Sequence, residues 1–344
     1  MNNLLVWKRA INIIEKSEKV LVICHFNPDT DAYGSLIAMG LFLDDKGIKY
    51  DLAFDGALEN KYTLINFDYM INRLDAELIT VDAYNSIIIL DTAIVKQMGT
   101  LKKVYSDARM NSIPIINIDH HKTDDPICGD FNIVDPNASA SCEILYDLFL
   151  SINHPISPDL AHIILKGIFG DTNILRSHNV TPKTMRITAH LIELGADRMA
   201  LIEQLNSLDF KTAKIWGKVI ETMECITDEK KIVYSIADEN IIGKDGEAEN
   251  ALDGITNFMR DLDGVDLAIL FIQRKNEVKI SFRSKSVISS LLIARIFGGG
   301  GHYAAAGCEF SDKTIKDVQK EVLDIVNKNV CTQLKTYKGD GVTR

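Results

Sequence analysis

Val20-Leu21-Val22-Ile23-Cys24-His25-Phe26-Asn27-Pro28-Asp29-Thr30-Asp31 is an apolar run of strand length that ends by delivering one imidazole and two carboxylates into a loop. Such a strand end outlines a metal site, because ligand sites of parallel α/β sheets gather at the carboxyl ends of strands. Ile87-Ile88-Ile89-Leu90 likewise ends in Asp91, and Ile115-Ile116-Asn117-Ile118 ends in Asp119-His120-His121. Asp171, after the apolar run 163–169, is a further candidate. A single Asp in such a place is ordinarily a loop or capping residue. Several together, with histidines, point to one shared crevice.

Carboxylates with a minority of imidazoles suit Mn²⁺ or Mg²⁺, whereas structural zinc sites lean on cysteine and close at four ligands. His25, Asp29, Asp31, Asp91, His120 and Asp171 are too many ligands for one ion. Two ions sharing a carboxylate, about 3.5–4 Å apart, lower the pKa of a bridging water and clamp a phosphoryl group during in-line attack. Phosphoester hydrolysis is therefore the chemistry expected from the residues.

The segment HFNPDTDAYGS, the Asp91 strand end, Asp119-His120-His121 and Gly170-Asp171-Thr172 resemble the motifs of the DHH phosphoesterase family. Gly298-Gly299-Gly300-Gly301-His302 resembles the signature of the accompanying DHHA1 domain. With Ser281-Phe282-Arg283-Ser284-Lys285, the whole resembles the compact subfamily of NrnA-type oligoribonucleases and stand-alone cyclic-di-AMP phosphodiesterases. The resemblance implies that His25, Asp29 and Asp91 hold one divalent ion and Asp31, Asp91, His120 and Asp171 the other. The ions implied are Mn²⁺, with Mg²⁺ or Co²⁺ as alternatives. Asp91 would bridge, Asp119 would orient a ligand or hold a proton, and His121 would lie near the scissile phosphate. It implies also that a metal-bridging hydroxide attacks phosphorus. The substrates implied are short RNA, cleaved to nucleoside 5′-monophosphates, and adenosine 3′,5′-bisphosphate. Cyclic-di-AMP or linear pApA is the alternative substrate, and a non-catalytic nucleotide-binding regulator the alternative of another class. A RecJ-like exonuclease and a family II inorganic pyrophosphatase fit less well, the latter for want of the GGGGH segment. Where NrnA-type relatives read Thr-Asp-Thr-Gly, this chain reads Gly170-Asp171-Thr172-Asn173, a departure that bears on substrate identity more than on hydrolysis. Arg176 and Asn179 match the family's substrate-proximal arginine and asparagine.

The 344 residues, 46% hydrophobic, suffice for two domains. The formal charge of −10 argues against coating long duplex nucleic acid, which needs a basic footprint. Cys24, Cys128, Cys142, Cys225, Cys308 and Cys331 form no C-x-x-C pair, as expected of reduced thiols in the cytoplasm. No signal-peptide pattern and no apolar run of membrane-spanning length is read, so no membrane association is expected. A homodimer is implied by the resemblance alone.

The pattern predicts an α/β fold: an N-terminal parallel sheet wound by helices over 1–204, a helical linker over 205–229, a smaller α/β domain over 230–335 and a tail over 336–344. Helices are expected over 4–15, 33–45, 138–150, 158–168, 205–226 and 248–261. Strands are expected over 232–236, 265–273 and 278–283, the last two as a hairpin. Ser139-Ala140-Ser141 reads as a helix N-cap whose backbone amides could also meet phosphate. Arg283, Ser284 and Lys285 are expected to grip a terminal phosphate, with Gly298 to His302 (Gly299, Gly300 and Gly301 within it) forming a loop whose amides face phosphate or ribose. The substrate would lie in a cleft between the domains. His154, His162 and His190 are expected in surface or satisfied-core roles, and His178 has a minor claim to the substrate. The aromatic residues read as core or interface rather than as base-stacking platforms.

Overall fold

The computed structural model describes residues 2–58, 78–123, 125–226, 232–243, 248–275, 277–285 and 288–339. The chain divides into two compact units, Met1–Ser207 and Leu208–Arg344.

In the first unit strands β1 (Lys19–Ile23), β2 (Lys49–Ala53), β3 (Ser86–Leu90), β4 (Ile115–Asp119) and β5 (Phe131–Val134) form a wholly parallel sheet in the order β2-β1-β3-β4-β5. Parallel strands need crossovers, and helices α1 (Asn2–Ile14), α2 (Thr30–Asp45), α3 (Lys102–Met110), α4 (Ser141–Ser151), α5 (Pro158–Asp171), α6 (Pro182–Glu193) and α7 (Arg198–Asn206) accompany them. Strand side chains alternate between faces. Val20, Val22, Leu52, Ile88, Ile116 and Ile118 join α1, α2, α4 and α5 in one core. Leu21, Ile23, Ala53, Ile87, Ile89 and Ile115 meet α3 in a second core on the other face. Both faces being covered, the inner strands β1, β3 and β4 read as near-continuous apolar runs, while the edge strands β2 and β5 carry polar residues. Their order reverses between β1 and β3, so the crevice beyond the carboxyl ends of these two strands is where a ligand is expected.

Helix α2 is buried over nearly its whole length. It approaches α5 closely because glycines stand at the contact: a Cβ on Gly34 would sit 3.4 Å from Ile163 O, and one on Gly170 would sit 2.4 Å from Thr30 Cβ.

In the second unit α8 (Phe210–Glu221) precedes a six-stranded sheet of β6 (Glu224–Cys225), β7 (Ile232–Ala237), β8 (Leu267–Arg274), β9 (Glu277–Ser284), β10 (Gly300–His302) and β11 (Ala305–Ser311). The order is β10-β11-β9-β8-β7-β6, with only β7 and β8 parallel. Helices α9 (Glu239–Ile242), α10 (Ile255–Asp261), α11 (Ser290–Ile296) and α12 (Ile315–Gly339) complete it. The hairpin of β8 and β9 forms as expected.

Other expected bounds shift for local reasons. The helix expected over 205–226 occupies only Phe210–Glu221: Asp209 caps its start, and Glu224–Cys225 pair with β7 instead. The helix expected over 248–261 is broken at Gly254, whose φ of +83° lies in the left-handed region, leaving a 3₁₀ turn at Glu249–Leu252 before α10. The presumed loop at Gly300–His302 is the edge strand β10, paired with β11. Among the described residues no helix is long and apolar enough to cross a membrane.

Candidate metal centre

The last residue of β1 and its successor Cys24 are fully buried, and the chain then turns out of the sheet at His25. His25 Nδ1 lies 2.9 Å from Phe26 O. A carbonyl can only accept, so Nδ1 carries a proton, and Nε2 is the ring nitrogen that faces Asp91 Oδ2, 3.8 Å away. Asp29 caps α2, accepting from Asp31 N–H at 2.9 Å and Ala32 N–H at 3.1 Å. Asp31, one residue inside that helix, is fully buried. Its carboxylate takes the first N–H groups of α4, from Ser141 at 2.5 Å and Cys142 at 3.0 Å. The N-terminus of one helix thus holds an anion borne by another.

Asp91 stands in the left-handed region at φ +49°, with its N–H donating to Ile118 O at 3.0 Å. Backbone strain of this kind persists where the surroundings over-determine it. Oδ1 of Asp91 accepts the Ser141 hydroxyl at 2.9 Å and lies 3.5 Å from His120 Nε2, while Oδ2 faces His25. The buried His120 Nε2 has no well-directed hydrogen bond, yet it lies 3.0 Å from Asp171 Oδ2 at the end of α5. His121 Nδ1 is 2.7 Å from Asp119 Oδ1. Three groups of donors, each within 4.8 Å, therefore converge: His25, Asp29, Asp91; Asp31, His120, Asp171; and Asp91, His120, His121. Asp91 belongs to two of them.

The crowding of carboxylates is visible in their protonation. Burial, then the charges of Asp171 and Asp91, push Asp29 up to about 6. Burial with Asp91 and Asp171 raises Asp31 well above the usual carboxylate range. For His121 burial disfavours the cation, but the Asp119 hydrogen bond and the Asp91 charge outweigh it and push the imidazole up to about 9. His120 is likewise raised against its burial, by Asp171, Asp91 and Asp31. An anionic pocket that holds protons this tightly has the charge a divalent cation would neutralise. An imidazole nitrogen aimed at carboxylates without a hydrogen bond, in an oxygen-rich donor set, fits such ions.

Some parts of the site have no signal in the one-dimensional pattern. Ser139-Ala140-Ser141 does not act as expected: the capping position falls on Ala140, which makes no side-chain cap, and the Ser141 and Cys142 amides meet Asp31 rather than phosphate. Ser141 instead supports Asp91. The fully buried Glu143 accepts from Ser139 Oγ at 2.6 Å and Thr184 Oγ1 at 2.8 Å, with Lys183 Nζ 3.1 Å away. The nearest sequence signal was the Ser-x-Ser-x-Glu spacing, which does not tell a cap from a brace.

Beyond Asp171 the chain turns through three left-handed residues, Asn173, Ile174 and Leu175, at φ +47°, +56° and +62°. The Thr172 hydroxyl accepts the Leu175 N–H at 3.0 Å within that turn. Asn is the side chain that best replaces Gly at positive φ, which accounts for Asn173. Gly170 has its own reason, since a side chain there would strike Thr30. Arg176 and Asn179 follow on the surface, and Asn179 Nδ2 donates to Ser139 O at 2.9 Å. His178 is exposed beside them.

In the second unit Arg283 is half-buried on β9, and its Nη1 donates to Ser281 Oγ at 3.1 Å and Phe282 O at 3.0 Å. Burial and the charge of Arg260 lower its pKa. Ser284 does not fit the expected phosphate grip: alternation along β9 turns it inward, where Oγ donates to Ile288 O at 2.7 Å and accepts from Ser290 Oγ at 2.9 Å. Lys285 Nζ donates to Leu262 O at 3.2 Å. The glycine run has a packing reason. A Cβ on Gly299 would lie 2.1 Å from Gly307 O, and one on Gly301, at φ +135°, would lie 2.6 Å from Ala305 O. Gly300 meets no such obstacle, and the side chain of His302 lies outside the described residues. Of the other histidines, His190 Nδ1 is 2.7 Å from Tyr146 Oη, His162 Nδ1 accepts the Asp197 N–H at 3.3 Å, and His154 Nε2 is 3.4 Å from Asp45 Oδ2.

Residues 19–168 match the DHH family, N-terminal domain, and residues 229–330 match the DHHA1 domain. The chain is 28% identical to the bifunctional oligoribonuclease and PAP phosphatase NrnA of Thermus thermophilus over 63% of its own length and 64% of that protein's. It is 24% identical to the protein of the same name from Bacillus subtilis, over 90% of this chain and 96% of the relative. Among solved structures it resembles an exopolyphosphatase-related protein from Bacteroides fragilis, with a TM-score of 0.84 and 20% identity, over 94% of this chain and 96% of that one.

Proposed function

We propose that this chain, which joins a match to the DHH family's N-terminal domain to a match to the DHHA1 domain, is a DHH-family phosphoesterase of short oligoribonucleotides, releasing nucleoside 5′-monophosphates, and of adenosine 3′,5′-bisphosphate. The observation that carries this reading is the convergence of seven donor residues at the switch point of the sheet, with Asp91 turning one oxygen to His25 and the other to His120. The names of the NrnA relatives support the substrate class.

In this reading His25, Asp29 and Asp91 hold one divalent ion, Asp31, Asp91, His120 and Asp171 hold the other, and Mn²⁺ is the preferred metal. Bound there, such ions supply Lewis-acid stabilisation of the phosphoryl group and lower the pKa of water. The chain's own residues do the remaining work. Asp31 keeps lone-pair directions for ligation, because its two backbone donors occupy only half of what a carboxylate accepts. Ser141 and the left-handed turn at Asp91 fix the shared carboxylate. His121, oriented by Asp119, stabilises negative charge on the phosphoryl or leaving oxygen. Arg176 and Asn179 position the substrate in the first unit, and Arg283 binds a terminal phosphate in the second.

Product formation by the purified protein with Mn²⁺ tests the proposal, with pApA, cyclic-di-AMP, adenosine 3′,5′-bisphosphate, a short RNA and a long single strand run in parallel. Preference for short linear substrates, abolished by chelator, is the expected result. Preference for the cyclic dinucleotide would reassign the substrate, and nucleotide binding without turnover of any of them would refute hydrolysis in favour of a regulator.

A further inference from the structure

Phe26 is 45% exposed, although it stands between a buried strand end and the buried start of α2. Its backbone is fixed on both sides. Phe26 N–H donates to Gln97 O at 2.6 Å and Asn27 N–H donates to Asp55 O at 2.9 Å. Asn27, at φ +52°, accepts the Ala57 N–H at 2.8 Å with its side chain. One edge of the ring rests on two glycines. A Cβ on Gly56 would lie 2.8 Å from Phe26 Cε2, and one on Gly99 would lie 2.9 Å from Cδ2. The Phe26 carbonyl meanwhile orients His25. A large apolar side chain, nearly half exposed and seated by one edge on two glycines, thus adjoins a metal ligand in sequence, where the aromatic residues were expected to serve core or interface rather than bases.

We propose that Phe26 is the stacking surface for a nucleobase adjoining the scissile phosphate, so that the site selects phosphate esters that carry a base over those that do not. The inference rests on the phosphoesterase reading above. Stacking needs a π-face held in place and discriminates little between bases, since every base has such a face. Because the ring is already fixed by its glycine contacts and backbone hydrogen bonds, little ordering remains to be done when a base covers it.

The test compares kcat/KM for adenosine 3′,5′-bisphosphate and for the base-free ribose bisphosphate in wild type, Phe26→Ala and Phe26→Trp with Mn²⁺. AMP affinity is measured on the same proteins by calorimetry. Phe26→Ala is expected to lower the ratio of the two kcat/KM values about 5- to 150-fold, the equivalent of ~1–3 kcal/mol of stacking at 1.4 kcal/mol per tenfold, with the change carried by KM. Phe26→Trp should retain the ratio, since indole offers a larger face. An unchanged ratio in Phe26→Ala, or an equal loss on both substrates, would overturn the proposal. A wild type inactive on both esters would reject the bisphosphatase part of that reading instead. AMP affinity then decides alone: weakening by the same factor in Phe26→Ala upholds the stacking surface, and unchanged affinity removes it.

Discussion

Gly170→Thr installs the threonine that the family resemblance leads one to expect before Asp171, and the structure predicts that this chain rejects it. The new Cβ would lie 2.4 Å from Thr30 Cβ, 2.9 Å from Thr30 Oγ1 and 3.0 Å from Thr30 Cγ2. Thr30 is buried, and it sits between Asp29 and Asp31 at the first turn of α2, so neither partner can swing into solvent. Overpacking of this kind costs about 1–3 kcal/mol. At about 2–4 °C per kcal/mol for a domain of this size, the melting temperature should fall by about 2–12 °C. Activity should fall with it, because pushing Thr30 away moves both flanking carboxylates. The contact is atom on atom, so Thr30→Ala, which keeps the Cβ, should not rescue, whereas Thr30→Gly should. Thermal unfolding and kcat/KM of the single and double variants give a coupling energy, expected at about 0.5–3 kcal/mol in the favourable direction. A Gly170→Thr protein that melts and turns over like wild type, or a Thr30→Gly background that restores nothing, would refute the steric account of this departure.

Asp91→Ala should abolish turnover with the fold intact, a loss larger than the roughly 10–100-fold typical of a residue that only supports a ligand; normal hydrolysis would remove Asp91 from the shared position. Ser141→Ala deletes the hydroxyl that donates to Asp91 at 2.9 Å, so a Mn²⁺ titration should show affinity weakened by about that same 10–100-fold, and an unchanged isotherm would show that the hydrogen bond orients nothing. The pH dependence follows from Asp29, which rises from 3.8 unfolded to about 6 folded. A raised carboxyl contributes stability that is present below pH about 4 and is lost as pH rises through about 6. In chelator, Asp29→Asn, which still caps α2, should therefore gain melting temperature relative to wild type between pH 4.5 and 7.5, and a difference independent of pH would contradict the crowding of charge at this site.

Much of this protein was legible before folding was considered. The apolar runs ending at Cys24, Leu90 and Ile118 are local patterns, and because a parallel sheet covered on both faces writes near-continuous hydrophobic strands, they specified the first sheet and the end of it that bears the donors. The Asp209 cap and the break at Gly254 were also present as residue types, but competing helical periodicity masked them until the strand at Glu224–Cys225 and the Trp216 ring beside Gly254 were in place.

By itself, then, the sequence determined the α/β class, the hairpin of β8 and β9 and the identity of the candidate ligands, since each depends on neighbours within a few residues. Only the tertiary structure decided how those ligands are held. Asp31 is fixed by amides 110 and 111 residues away, Asp91 by a hydroxyl 50 residues away, and Asn179 reaches back 40 residues to Ser139. It also turned Ser284 inward and made a paired strand of the glycine run, because strand alternation and the close approach of Gly299 to Gly307 exist only once β9, β10 and β11 lie side by side. Hydrogen bonds and steric contacts across such separations leave no period in the chain, and that is why they had to be seen in three dimensions.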